Sequence, residues 1–185
     1  EVGNIITAKV WQVDGSRCKE SDLTEGSGRL ISYNSETGAK LAEINYKDSK
    51  PIIQINKKLS NGNRIKYGEL NGKRVGNHLI ISPEGKIKEK GQWQDDKKHG
   101  TWTTFYANEK VHTKSSFKND KLDGAEVTYY PNGQKADESL WTMGKIKETK
   151  VWMPNGELCS RSKVNNGNGL RVFYDEDGVE ITTIT

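Results

Sequence analysis

The stretch Gly124–Lys147 reads GAEVTYYPNGQKADESLWTMGKIK, and it holds one complete copy of a pattern that recurs along the chain. A β-branched and aromatic run leads to an Asn-Gly pair at 132–133. The stretch then continues to Trp141 and ends at a second turn, Met143-Gly144-Lys145. β-Branched and aromatic residues favour strands, and Asn-Gly is a strong signal for a tight hairpin turn. One copy therefore predicts a strand, a tight turn, a second strand and another tight turn.

A turn glycine returns along the whole chain at intervals of 22 to 24 residues. These glycines are Gly15, Gly38, Gly62, Gly85, Gly133, Gly156 and Gly178. One slot is empty and falls at Glu109, whose flanks resemble those of Gly133, so we predict a degenerate turn there. Self-similarity at a fixed period indicates a repeat array in which each unit packs on its neighbours.

Columns of equivalent side chains set the register of the units. Eight residues after each turn slot stands a large apolar residue, and we expect this column to form a buried ridge on one face of a sheet. Its members are Leu23, Tyr46, Leu70, Trp93, Phe117, Trp141 and Val164. We assign a second large column, four residues before the slot, to the same ridge. That column holds Trp11, Ile81, Phe105, Tyr129, Trp152 and Tyr174.

A further column, six residues after the slot, is mostly small, as at Gly91 and Ser115, and leaves room for rings from the neighbouring strand. These patterns predict an all-β fold, namely an elongated, single-layer antiparallel β-meander of about eight hairpin repeats of roughly 23 residues. No window shows a sustained 3.6-residue period, so we expect no helices. Only 32% of the residues are hydrophobic, which fits a thin ridge better than a full globular core.

The chain is expected to form one array over residues 1–185. The repeats are weak over 8–75 and clear over 76–178, and residues 179–185 are predicted to form a C-terminal capping strand. The chain starts at Glu1 rather than Met, which favours a removed leader and export. No apolar run approaches the ~20 residues of a membrane span.

Signals for chemistry are poor. His78, His99 and His112 fall at ordinary repeat positions, and no serine lies in a Gly-x-Ser-x-Gly elbow. Cys18 and Cys159 lie six units apart, about 55–60 Å along a straight array, so we expect both to be unpaired and neither to ligate zinc. We predict a protein that is not an enzyme and that uses no cofactor and no metal ion.

The net charge of +4 comes from interleaved Lys and acidic residues, as in residues 86–90, which is typical of a solvated surface. We therefore expect no nucleic acid among its partners. Trp102, Tyr106 and Tyr130 neighbour residues that we assign to the ridge, so they are predicted to point to the other face. With His112 they are our candidate partner-binding residues, because exposed Trp and Tyr are favoured at protein interfaces.

The pattern resembles the MORN-type repeat, with its Gly-x-x-x-x-Tyr-x-x-Asn-Gly core, an aromatic eight residues on, and a closing Asn/Asp-Gly/Asp-Lys-x-x-Gly. The best copy is Gly124–Lys147, and the resemblance extends over about residues 8–185. The variant is similar to the bacterial YwqK-family antitoxins, some of whose relatives are immunity proteins against type VI secretion phospholipase effectors and act in the periplasm. Other MORN proteins are scaffolds or phosphoinositide-associated modules.

The resemblance implies a protein that binds and neutralises a cognate toxin effector by covering it with a face of its sheet, with a periplasmic location and a cytoplasmic one as the alternative. A membrane-associated scaffold that touches anionic lipid through Lys-rich turns stays open as a second interpretation. A cell-surface stalk is a third.

Overall fold

A computed structural model describes residues 7–12, 14–34 and 36–184 of the chain, and its secondary structure consists of strands joined by turns. In these ranges the strands are β1 (Ala8–Trp11), β2 (Arg17–Thr24), β3 (Ser27–Tyr33), β4 (Lys40–Lys47), β5 (Lys50–Lys58), β6 (Arg64–Leu70), β7 (Lys73–Ile81), β8 (Ile87–Gln94), β9 (Lys97–Phe105), β10 (Val111–Lys118), β11 (Lys121–Tyr129), β12 (Lys135–Thr142), β13 (Lys145–Val151), β14 (Lys163–Asn165), β15 (Asn168–Tyr174) and β16 (Glu180–Ile184). The all-β prediction is confirmed. Nothing in the described ranges is a helix of the length and apolarity needed to cross a membrane. Thr185, the last residue of the predicted capping strand, lies outside the described residues.

The chain divides into two compact units, residues 1–55 with 68–73 and residues 56–67 with 74–185. Within each unit, consecutive strands pair in the order of the sequence, and every described pairing is antiparallel. A β-meander of hairpins was the predicted architecture, and it is confirmed.

In the first unit, β2 and β4 each place a large apolar side chain against the same glycine of β3. Leu23 and Tyr46 both stand opposite Gly28, so these two members of the predicted ridge share one face. Leu23 is fully buried there. Ser21, from the small column, is also buried and accepts a hydrogen bond from the backbone N–H of Ile31 at 2.9 Å. Ile44 breaks the small column and is exposed.

In the second unit, the ridge forms as the sequence predicts. Trp93 stands opposite Gly76, Phe117 opposite Gly100, and Trp141 opposite Gly124. We call the face that carries these side chains the ring face. Each ring lies across a strand position that has no side chain of its own, which is why a glycine opens most units.

The assignment of the second large column to this ridge is wrong. In β9, Phe105 lies three residues beyond Trp102, so the two side chains point to opposite faces of the strand. A register shift between Val111 and Thr113 inserts His112 into β10 just after the turn. Side-chain parity counted across the turn is therefore reversed. Trp11, in the same column, is 57% exposed.

Two kinds of turn alternate along the chain. At most of the predicted slots, a three-residue loop is closed by hydrogen bonds such as Gly133 N–H to Tyr130 O at 2.8 Å and Tyr130 N–H to Gln134 O at 2.9 Å, whereas the loop that ends at Gly38 has four residues. The residue at the slot has positive φ, which is typical of a type I turn with a glycine bulge. The other turns have two residues with positive φ, as at Asn119 and Asp120, and are primed turns.

Neighbouring turns are also bonded to each other. On the side of the two-residue turns, Asp120 N–H donates to Lys98 O at 3.0 Å, and the Asp120 carboxylate accepts from Lys98 N–H at 2.7 Å. On the other side, the hydroxyl of Tyr106 donates to Tyr129 O at 2.6 Å and that of Tyr130 to Trp152 O at 2.7 Å. Each of these hydrogen bonds joins one hairpin to the next.

The degenerate turn at Glu109 is confirmed, because this residue adopts φ +66° in the slot that glycine fills elsewhere. A non-glycine residue in that conformation costs about 1–2 kcal/mol. We expect Glu109→Gly to raise the free energy of unfolding by about 1 kcal/mol, measured by urea denaturation. The ion pair of Glu109 with Lys86, at 3.9 Å between exposed side chains, contributes little. Glu109→Ala removes the same carboxylate but keeps the strain, so a gain in that control would contradict the explanation.

Candidate partner-binding surfaces

Trp102 lies at the centre of a ring stack on the ring face of β7 to β10. Its ring centroid is 4.8 Å from that of His78, 4.9 Å from that of Trp93 and 6.4 Å from that of Phe117. The side chain is only 3% exposed. The prediction that Trp102 projects from the sheet is therefore wrong, because of the same reversal of parity. Its role in partner binding stays a prediction.

Cations cover the outside of this stack. The Arg74 guanidinium lies 3.7 Å from the centroid of the Trp93 ring, and the Lys98 ammonium lies 4.1 Å from that of Trp102. Such contacts place the charge against the electron-rich face of the ring. The rings on this part of the sheet are thus covered by the chain's own side chains.

His78 is buried inside the stack and has both ring nitrogens bonded. The Trp93 indole N–H donates to His78 Nδ1 at 3.1 Å, which makes the imidazole a neutral ring with its proton on Nε2. Nε2–H then donates to the Glu89 carboxylate at 2.9 Å, and this hydrogen bond lowers the pKa of Glu89. The arrangement satisfies every polar atom of the imidazole, and we assign His78 to the core.

Tyr106, His112 and Tyr130, the other three predicted contact residues, come together around one pocket of about 220 Å³. We call it the aromatic pocket. The lining residues that carry a ring are Tyr106, His112, Tyr129, Tyr130, Phe173 and Tyr174. Tyr130 is only 5% exposed, so its predicted exposure is wrong, whereas His112 is exposed. The Tyr106 and His112 rings lie 4.5 Å apart between centroids.

Burial and charge tune the titration of the pocket rings. His112 is exposed as a residue, but the partial burial of its ring, which lies against Tyr106, lowers its pKa. Burial also raises the pKa of Tyr106, with a smaller effect from the carboxylate of Glu176. It raises the pKa of Tyr130 to about 12, with smaller effects from Tyr174 and then Asp175. At neutral pH these rings are therefore uncharged.

Asp137, which lines the aromatic pocket, is the centre of a buried polar cluster. Asp137 is 2% exposed and accepts two hydrogen bonds from Arg171, at 2.6 and 3.1 Å. It also accepts one from Ser139 at 2.8 Å and one from Thr149 at 2.9 Å. The pair joins β12 to β15, and the Arg171 guanidinium lies 4.6 Å from the centroid of the Phe173 ring.

The opposite face of β7 to β10 carries an open groove of about 750 Å³, and we call this face the groove face. The apolar floor of the groove consists of three half-buried side chains, those of Leu79, Phe105 and Val111. Lys90 and Lys114 line it as exposed cations. Among the described residues neither lysine forms an ion pair, and Lys90 lies 5.4 Å from the Phe105 ring centroid.

Neither the groove nor the buried cluster was predicted from the sequence. Asp137 shares the parity of Ser139 and Trp141, so the pattern did contain a signal that a carboxylate points to the buried face. Its partner Arg171 is 34 residues away, and nothing in the sequence connects the two. The groove takes its lining from the four strands β7 to β10, and Val111 joins it through a register shift for which the sequence offers no signal.

The free thiols follow the prediction. Cys18 and Cys159 are both unpaired and buried. Each lies beside a tyrosine hydroxyl, Cys18 at 3.3 Å from Tyr33 and Cys159 at 3.1 Å from Tyr174. In the described part of the chain, no three His, Cys, Asp or Glu side chains are grouped closely enough to hold a metal ion.

Comparison with known proteins places a family match on the unit that carries these surfaces. A search of curated proteins found no match to the chain. The sequence model of the family described as MORN repeat variant matches residues 98–119 and 122–141. The first segment covers the hairpin of β9 and β10 and the second that of β11 and β12. The chain therefore contains two segments similar to the MORN repeat variant, within a hairpin-repeat protein of the scaffold or binding type.

Proposed function

We propose that this protein is an immunity or antitoxin protein, which binds a cognate bacterial toxin and blocks it by covering it with the groove face. The observation that carries the proposal is the open groove, which combines half-buried apolar residues with two lysines that have no acidic partner in the described residues. The hairpin repeats and the resemblance to bacterial antitoxins support the same interpretation.

The groove face is a better contact surface than the ring stack. On the ring stack, Trp102 is buried and its ring already lies under Lys98. In the groove, Phe105 offers an aromatic anchor, and anchors of this kind carry much of the binding energy at protein interfaces. Lys90 and Lys114 add a positive charge that steers and orients an acidic partner. The partner surface is thus acidic, with an apolar side chain that contacts Phe105.

Charge reversal in the groove tests this function. The purified protein is titrated with the inactivated product of the neighbouring toxin gene, and the affinity is measured by calorimetry. We expect Lys90→Glu with Lys114→Glu to weaken binding at least tenfold, because two attractive contacts become repulsive. The matched control is Lys97→Glu with Lys121→Glu, which reverses two exposed lysines beside the two-residue turns.

Two results would count against the proposal. An equal loss of affinity for the toxin in the groove variant and in the control variant would mean that overall charge, and not the groove, drives binding. No binding to any neighbouring toxin by the unaltered protein would remove the proposed function itself. Inhibition of the toxin's activity in the same titration, lost in the groove variant, is the expected outcome.

One feature favours the second candidate, a scaffold on anionic membranes. Lys97, Lys121 and Lys145 are exposed and directly follow successive two-residue turns, so they recur along one side of the sheet. A row of lysines attracts anionic lipid, and the attraction weakens with salt. Flotation with phosphatidylserine vesicles at low and moderate salt separates the two functions. Salt-sensitive flotation that the variant with Lys97→Glu and Lys121→Glu loses would favour the membrane scaffold.

A further inference from the structure

The aromatic pocket has the composition of a cation site, although nothing in the proposed function uses it. Six of its lining residues carry rings, and they come from segments on both sides of β12. The faces of aromatic rings are electron-rich, so rings that converge on one space attract a positive group there. At about 220 Å³ the pocket is smaller than the usual 300–1,000 Å³ of sites for drug-sized ligands. It therefore suits one small headgroup.

Charges around the aromatic pocket favour the same class of ligand. Glu176 and Asp175 act on Tyr106 and Tyr130 as negative neighbours. The His112 ring is neutral at pH 7, because burial lowers its pKa. Arg171 is held by Asp137, and its guanidinium already lies against one side of Phe173. One ring of this pocket thus already stacks with a cation within the chain.

Hydrogen bonding decides which cation fits. The Tyr106 and Tyr130 hydroxyls are held by backbone carbonyls, and Asp137 already accepts four hydrogen bonds. A lysine ammonium brings three N–H donors, each of which needs an acceptor when it leaves water. A trimethylammonium group has no N–H donor and is held by ring faces alone.

We propose that the aromatic pocket binds a trimethylammonium group, the chemistry shared by choline, phosphocholine and trimethylated lysine. The ligand enters beside His112, which is exposed, and its methyl groups contact the rings of Tyr106 and Phe173. This site is separate from the groove face and does not depend on the toxin interaction.

The experiment compares choline with 3,3-dimethylbutanol, a neutral molecule of the same shape, by NMR titration of the full chain. We expect choline to bind at least tenfold more tightly than the alcohol. We also expect nuclear Overhauser effects between the methyl protons of choline and the ring protons of the tyrosines. Equal affinities would show that the pocket takes any apolar group of this size and would overturn the proposal. Absence of binding by choline, phosphocholine and acetylated trimethyl-lysine would overturn it too.

Paired substitutions connect binding to the rings. His112→Lys places a positive charge at the exposed rim and should abolish choline binding, whereas His112→Phe keeps a ring and should change the affinity less than threefold. Tyr106→Leu removes a ring and should weaken binding at least tenfold, whereas Tyr106→Phe retains it. Circular dichroism checks the fold of each variant. Unchanged choline affinity in a folded His112→Lys protein would contradict the assignment.

The same titration distinguishes the sources of the group. Tighter binding of phosphocholine than of choline would indicate a headgroup that carries phosphate. Tighter binding of acetylated trimethyl-lysine would indicate a modified protein side chain. Either preference supports the site, provided that the neutral isostere binds at least tenfold more weakly.

Discussion

Trp102→Ala is expected to lower the free energy of unfolding by about 3–5 kcal/mol, the range for truncating a large buried aromatic side chain. The ring fills the space between His78, Trp93 and Phe117, and its indole N–H donates to Gln92 O at 3.1 Å. Urea denaturation followed by circular dichroism measures the loss. An exposed control, Leu158→Ala, should change the stability by less than about 0.5 kcal/mol.

Gly91 supplies the matched test of the cause. A Cβ atom at this position would overlap Cδ2 of the Trp102 ring, so Gly91→Ala should also destabilise the protein. In the Trp102→Ala background the Cβ atom added by Gly91→Ala has room, and the loss of stability that this substitution causes should largely disappear. If Gly91→Ala is equally harmful in both backgrounds, the ring does not rest on this strand as described.

Asp137→Ala is expected to cost about 3–5 kcal/mol, because it leaves the Arg171 guanidinium without its partner in a largely buried position. It also leaves the hydroxyls of Ser139 and Thr149 without their acceptor. The loss is measured as the shift of the urea midpoint at pH 7.

The double variant of Asp137→Leu with Arg171→Met isolates the unpaired charge. Replacing both members of a buried ion pair by apolar residues is often neutral, whereas removing one member is costly. We therefore expect the double variant to be more stable than Asp137→Ala by about 2 kcal/mol or more. If both variants lose the same stability, packing around Asp137 matters more than charge.

Much of the fold was predictable because the units are short and each one uses strong local signals. The glycine interval located the turns, including Glu109, where the residue type itself gave no signal. The column eight residues after the slot predicted which side chains share a face in each unit. Local turn chemistry and strand alternation act over few residues, so a single sequence reveals them well.

Side-chain direction on the other strand of each hairpin was harder to predict. One inserted residue after the turn, at His112 in the β9–β10 hairpin, reverses the alternation, and the sequence has no mark for it. That reversal explains why Trp102 and Tyr130 were expected to be exposed and are instead buried. The aromatic pocket and the Asp137–Arg171 pair could not be predicted from the sequence, because both depend on strands that are distant in sequence.

The hydrogen bonds that join neighbouring turns determine how the length of this protein can change. Asp120 reaches Lys98, 22 residues earlier, and Tyr106 reaches Tyr129, 23 residues later. An insertion or deletion of a whole unit leaves every such bond with an equivalent donor and acceptor. An insertion or deletion of half a unit would instead move each kind of turn to the opposite margin of the sheet. Engineered versions should therefore tolerate duplication of residues 98–121 far better than insertion of a single hairpin strand.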